Sequence, residues 1–191
     1  MENSLPLGKT AKRVLFYFLV VLSFSFTQEV DAQDVIYVDS AAMGSGDGTS
    51  WTDAYTAIQP ALDAATPWDS IWVAKGTYKP SKDASGDSSP SDTRTKTFQL
   101  IDKVSLFGGF DGTESNIKQR DIRENVTLLC GDLGTEGDST DNCYHVIYGA
   151  DSLTIDGFTI TKGNADGPSN SSKEGAGMRN ESGATKTVSL K

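Results

Sequence analysis

Basic residues are scarce and scattered in this 191-residue chain. Seventeen Lys and Arg stand against 26 Asp and Glu, a formal net charge of -9, and no basic cluster follows Arg13. Binding to a polyphosphate needs clustered cations that displace counterions, so nucleic acid is excluded as a partner. Histidine occurs once, at His145 within Tyr144-His145-Val146-Ile147-Tyr148. One imidazole builds neither a zinc centre nor, at any useful spacing, a Ser-His-Asp grouping, and packing in a strand is the plainer reading. Only two cysteines are present, Cys130 and Cys143, too few for a multi-bridge framework. No Asn-Gly pair joins two apolar runs, so the strongest hairpin signal is missing. No phosphate-cradling Gly loop follows a strand. After Phe26 no apolar run is long enough to cross a bilayer.

What remains is a chain of one-domain length with 19 glycines and many Asp, Asn, Ser and Thr, a composition of many turns and short strands. Lys9, Lys12 and Arg13 precede the apolar run Val14 to Phe26, and a polar stretch with Val30 and Ala32 follows. That order is the pattern of a signal peptide, residues 1–32, with cleavage after Ala32. Residues 33–191 then form the mature domain, which keeps its charge of -9 because three basic and three acidic residues leave together. The expected location is extracellular, secreted or on the cell surface. In that compartment Cys130 and Cys143 could close the short loop between them, worth about 3 kcal/mol by chain entropy, or stay two buried thiols.

The mature chain opens with an apolar strand, Val35 to Val38. Trp51, Tyr55, Ile58 and Leu62 follow at steps of four, three and four, which predicts a helix over Trp51 to Ala65. Ser50 or Thr52 would cap it, and Pro60 would kink or shorten it. Short apolar runs closed by glycine come next: Ile71 to Ala74, Val104 to Phe107, Val126 to Cys130 and Leu153 to Asp156. Phe158 to Thr161 follows directly after Gly157, and Thr187 to Leu190 comes last. The runs recur every 20 to 35 residues or so, the spacing of a solenoid whose units bury their faces against one another. Leu153 to Thr161 reads either as a hairpin at Asp156-Gly157 or as a corner between two faces of one coil. An antiparallel sandwich is the competing fold.

The succession IYVDSAAMGSGDGTSWTDAYTAIQPALDAA, DSIWVAKGTYKP, TFQLIDKVSLFGGFDGTE, QRDIRENVTLLCGDLGTEGDSTDNCYHVIYGADSLTIDGFTITKGNA and EGAGMRNESGA resembles the N-terminal region of secreted bacterial right-handed β-helix repeat proteins. These belong to the pectin-lyase-like group and are akin to polymorphic outer-membrane-protein repeats. The resemblance covers about residues 35–190. It implies an all-β, right-handed parallel β-helix with an N-terminal capping α-helix, IWVAKGTY as the first full strand, and further coils beyond Lys191, so that the chain is expected to be a truncated portion.

No catalytic motif of that group is matched here. Asp132, Glu136, Asp138 and Asp141 lie between the cysteines in an oxygen-rich loop that could hold Ca²⁺. Its plainer reading is a solvated acidic loop, and no other cofactor is expected. Asp47 and Asp53 read as turn and helix-start chemistry. Trp72, Tyr78 and Phe110 could form a sugar-stacking surface, although aromatics in strands more often pack. Pro80 to Arg94 reads as a polar, mobile loop. The expectation is therefore a non-catalytic extracellular or cell-surface scaffold, adhesin-like, with carbohydrate or cell-surface components as partners. The alternative is the N-terminal fragment of a polysaccharide lyase or glycoside hydrolase.

Overall fold

The structure, a computed structural model, describes residues 33–180 and 189–190. Residues 1–32, expected to be a signal peptide, lie outside the described residues. The described part is mostly sheet, with parallel strands and one α-helix. Its strands are β1 Val35–Val38, β2 Ser70–Ala74, β3 Gly76–Tyr78, β4 Phe98–Gln99, β5 Ser105–Phe110, β6 Thr127–Cys130, β7 Ile147–Tyr148, β8 Thr154–Asp156, β9 Phe158–Thr161, β10 Met178–Arg179 and β11 Ser189–Leu190. The helix, α1, is Ile58–Ala64.

Three parallel sheets form, ordered β1-β2-β5-β8-β11, β3-β6-β9 and β4-β7-β10. From β2 onward the chain visits the three sheets in a fixed rotation. Each strand then pairs with the strand three elements before it, Ile71 with Leu106 and Leu106 with Ile155 in the first sheet. The antiparallel sandwich is thereby overturned, since all strand pairings in the described sheets are parallel.

Stacking in register puts like on like. Ile71, Leu106 and Ile155 point inward at 0–2% exposure. Phe98 and Ile147 do the same in the third sheet, and Leu129 in the second. Each fully buried aliphatic or aromatic side chain contributes about 1.5–3 kcal/mol. Outward, Tyr37, Trp72 and Phe107 stack in register on the first sheet. Trp51 leans over them, its ring 4.8 Å from Tyr37 and 5.4 Å from Phe110, with Nε1 donating to Glu114 O at 2.8 Å.

Sharp corners separate the sheets. Gly157, at φ 83°, turns the chain from β8 into β9, so Leu153 to Thr161 is a corner rather than a hairpin. IWVAKGTY likewise is not one strand: Lys75 and Gly76 turn it from the first sheet to the second. Another repeated turn stands two residues before β2, β5 and β8. There Trp68, Lys103 and Ser152 all take positive φ, Trp68 N donates to Lys103 O, and Lys103 N donates to Asp151 O.

The predicted helix is cut to half its length. Residues 51–57 are turns, with Tyr55 bridging to Val38, and α1 starts after Ala57 with no side-chain cap. Pro60 falls in the first turn, where its missing N–H would have had no intrahelical partner. Neither Ser50 nor Thr52 caps α1; Ser50 Oγ instead meets Asp53. Asp47 and Asp53 brace the turn, accepting from Thr49 and Ser45 backbone N–H groups. Ile58, Ala61 and Leu62 pack into the core at 0–1% exposure.

Candidate functional site

The outer face of the third sheet carries Gln99, Tyr148 and Arg179 in register, because their neighbours Phe98, Ile147 and Met178 face the core. Two loops rise beside it. The first, after β3, contributes Asp83, Ala84, Ser85, Asp92 and Thr95; the second, after β9, contributes Pro168, Ser169, Ser171 and Ser172. Between them lies a groove of about 450 Å³, floored by Thr97, Tyr144, His145, Tyr148 and Arg179. That is the size of a small-molecule or single-sugar site.

Local hydrogen bonding fixes both walls. Asp83 accepts from Ser85 Oγ at 2.7 Å and from Ser85 and Asp87 N at 2.9 Å. The Ser85 hydroxyl and then the Asp87 amide hold its carboxyl below the ordinary value of 3.8. Asp92 caps the 3-10 turn Thr93–Thr95 and accepts from Tyr144 Oη at 2.9 Å. Burial first, and the Asp92 partner second, push the Tyr144 phenol up. Opposite, Ser169 and Ser172 form a capping box around Asn170–Ser172. Arg179 lies over the Tyr148 ring at 5.3 Å and Arg94 over the Tyr144 ring at 4.3 Å.

His145 sits in the floor at 9% exposure, its Nδ1 3.2 Å from Gly175 O. A carbonyl only accepts, so Nδ1 is the donor in this contact. The strand reading of His145 is close: it immediately precedes the Val146–Ile147 segment that pairs with β4.

The Pro80 to Arg94 loop is densely tied. Arg94 donates from Nε to Asn142 O at 2.7 Å and from Nη2 to Asn164 O at 3.0 Å, and pairs with Asp166.

The acidic loop is not gathered into a cage. Asp132 is 1% exposed and pairs with Lys162 at 2.7 Å and Lys79 at 3.7 Å. The Lys162 ammonium, then the Gly137 N–H, hold its carboxyl down. Asp138 caps Ser139–Asp141, Asp141 accepts from Thr135 N at 2.7 Å, and Glu136 is exposed. Among the described residues no group of three or more His, Cys, Asp or Glu is placed to hold a metal ion. Asp132, Asp138 and Asp141 each engage different partners rather than one another.

Cys130 and Cys143 are both buried as free thiols, with no bridge between them. Burial, then the neighbouring Cys130, push the Cys143 thiol up to about 12, a value at which it is inert. Trp72, Tyr78 and Phe110 are 7%, 3% and 0% exposed, which overturns the stacking surface expected of them. Trp72 stacks on Phe110 at 4.8 Å, and Tyr78 Oη donates to Ala74 O.

Sequence reasoning missed the groove, since its lining comes from four separate stretches. The paired tyrosines Tyr144 and Tyr148 flanking His145 were the available signal. Known protein families, characterised proteins and solved structures yield no match to this chain. No described helix is long and apolar enough to cross a membrane.

Taken chemically, the groove offers two aromatic rings, two carboxylates, a guanidinium, an imidazole and several hydroxyls on a fixed floor. Such a set can both donate and accept hydrogen bonds. Within the groove, His145 Nδ1 is held by a backbone carbonyl, that of Gly175.

Proposed function

We propose that this chain is a right-handed parallel β-helix of a secreted or cell-surface protein, acting as a non-catalytic scaffold that holds carbohydrate in the groove on its third sheet. The fixed rotation of strands through three parallel sheets supports the coil architecture. The right-handed sense follows from the general preference of parallel crossovers. Kinship with pectin-lyase-like and polymorphic outer-membrane-protein repeats belongs to the same proposal, as does export by residues 1–32.

The observation that carries the functional reading is the groove itself: a cavity of about 450 Å³ whose floor carries the half-buried Tyr148, with the buried Tyr144, beside Asp, Ser, Thr and Arg side chains. Aromatic faces pack against the C–H faces of sugars while the polar groups meet hydroxyls. The lyase alternative needs an acid and cations reachable on adjacent coils. Lys79, Asp132 and Lys162 stand just past β3, β6 and β9, but the Asp132 carboxylate is buried and already paired with both lysines. A polymer would not reach it.

The test is incubation of the purified protein with insoluble polysaccharides and with pectate plus Ca²⁺, followed by assays for retention and for released product. Retention without release is expected. Turnover abolished by replacing a specific carboxylate would replace the scaffold with the lyase, and absence of retention on every polysaccharide would remove carbohydrate binding.

A further inference from the structure

Resting on the carbohydrate reading above, we infer that the groove selects uncharged glycans and rejects acidic ones. The charged residues lining it are Asp83, Asp92 and Arg179. Arg179 is packed over Tyr148, and the second guanidinium nearby, Arg94, is consumed by Asn142 O, Asn164 O and Asp166. Asp87 follows in the same wall and braces Ser89. A polyuronate carries a carboxylate on every ring. In this groove those charges meet two aspartates for one arginine, within the field of a chain of net charge -9. Like charges brought together in a partly desolvated cleft are repelled, which is the rejecting half of specificity.

A neutral sugar meets the opposite situation. Its hydroxyls are donors as well as acceptors, so Asp83 and Asp92 become partners rather than obstacles. Thr95, Thr97, Ser169 and Ser171 can take either role. The apolar ring face has the half-buried Tyr148 to lie against. Because Thr97 leads into β4 while Tyr148 and Arg179 lie on β7 and β10, the floor crosses successive strands of one sheet, which suits an internal segment of a chain.

Calorimetry of the purified protein with neutral gluco-, xylo- and manno-oligosaccharides, and with oligogalacturonate of equal length, decides the matter. At least one neutral ligand is expected to bind, with affinity unchanged between low and high salt, and oligogalacturonate to bind at least tenfold more weakly. Tyr148→Ala is expected to weaken the neutral ligand at least tenfold. Ser171→Trp, which fills the groove from an exposed wall position, should do the same with an unaltered circular dichroism spectrum. Equal or tighter binding of oligogalacturonate overturns the charge selection while leaving carbohydrate binding standing. Neutral binding that survives Ser171→Trp places the ligand elsewhere and overturns the inference. No binding by any of the four ligands sinks the carbohydrate reading itself.

Discussion

Arg94 joins three loops that lie far apart in the chain. Its guanidinium reaches two backbone carbonyls, at Asn142 and Asn164, pairs with Asp166 and covers the Tyr144 ring, while its own carbonyl accepts from Tyr144 N. Each charge-assisted hydrogen bond to a carbonyl exceeds a neutral one. Arg94→Ala leaves two carbonyls short of a donor and is expected to lower stability by about 2 kcal/mol, read as a shift of the urea midpoint. Lysine carries the charge but not the fork, so Arg94→Lys should recover less than half of that loss. If Arg94→Ala unfolds at the wild-type midpoint, the tie is ornamental and the groove wall is held by other contacts. Arg120 plays a similar part on the first sheet, pairing with Asp156 while lying 5.2 Å over Phe107.

At the scale of elements, the corners are as specific as the strands. Gly157 has φ 83°, and a Cβ placed on it would meet Gly108 O at 2.5 Å; one on Gly108 would meet Gly157 O at 2.6 Å. Two backbones thus touch where β5 and β8, neighbours in the first sheet, approach their turns. Gly157→Ala adds left-handed strain to that clash and should cost about 2–3 kcal/mol by chemical denaturation. A loss below about 0.5 kcal/mol would mean that the corner can relax. Such corners are why only part of the architecture was readable in advance. β1, β2, β5, β6, β8 and β9 announced themselves as apolar runs, several of them closed by glycine. β4, β7 and β10 have two residues each, and two residues carry no period. Trp51 and Tyr55 imitated a helical face because turns over the first sheet happened to space them by four. The Ca²⁺ reading counted carboxylates without seeing that Lys79 and Lys162, just past β3 and β9, would converge on Asp132. The groove was hidden for the same reason: its walls come from successive coils, and only register brings them together.

For the molecule as a whole, among the described residues, each strand's backbone edges are paired by the strands stacked beside it, while the inner faces of the three sheets share one core. The first sheet makes this clear: β2 lies between β1 and β5, and β5 between β2 and β8. Among the described residues β9 and β10 each have a paired strand on one side alone. Stability in such a stack is a sum over neighbouring interfaces, so opening proceeds unit by unit from wherever an interface is missing. Native-state hydrogen exchange should therefore be graded. Amides of β2, β5 and β6 are expected to exchange at least tenfold more slowly than those of β9 and β10, a factor equivalent to about 1.4 kcal/mol of extra opening free energy. The groove floor spans this gradient, with Tyr148 on the inner β7 and Arg179 on the outer β10. A ligand seated there bridges β7, paired on both sides, to β10, paired on one side among the described residues, so a saturating neutral oligosaccharide should slow exchange in β10 more than in β7. Uniform exchange across all these strands, unchanged by ligand, would mean that the coils open in one cooperative step and that no interface is weaker than the rest.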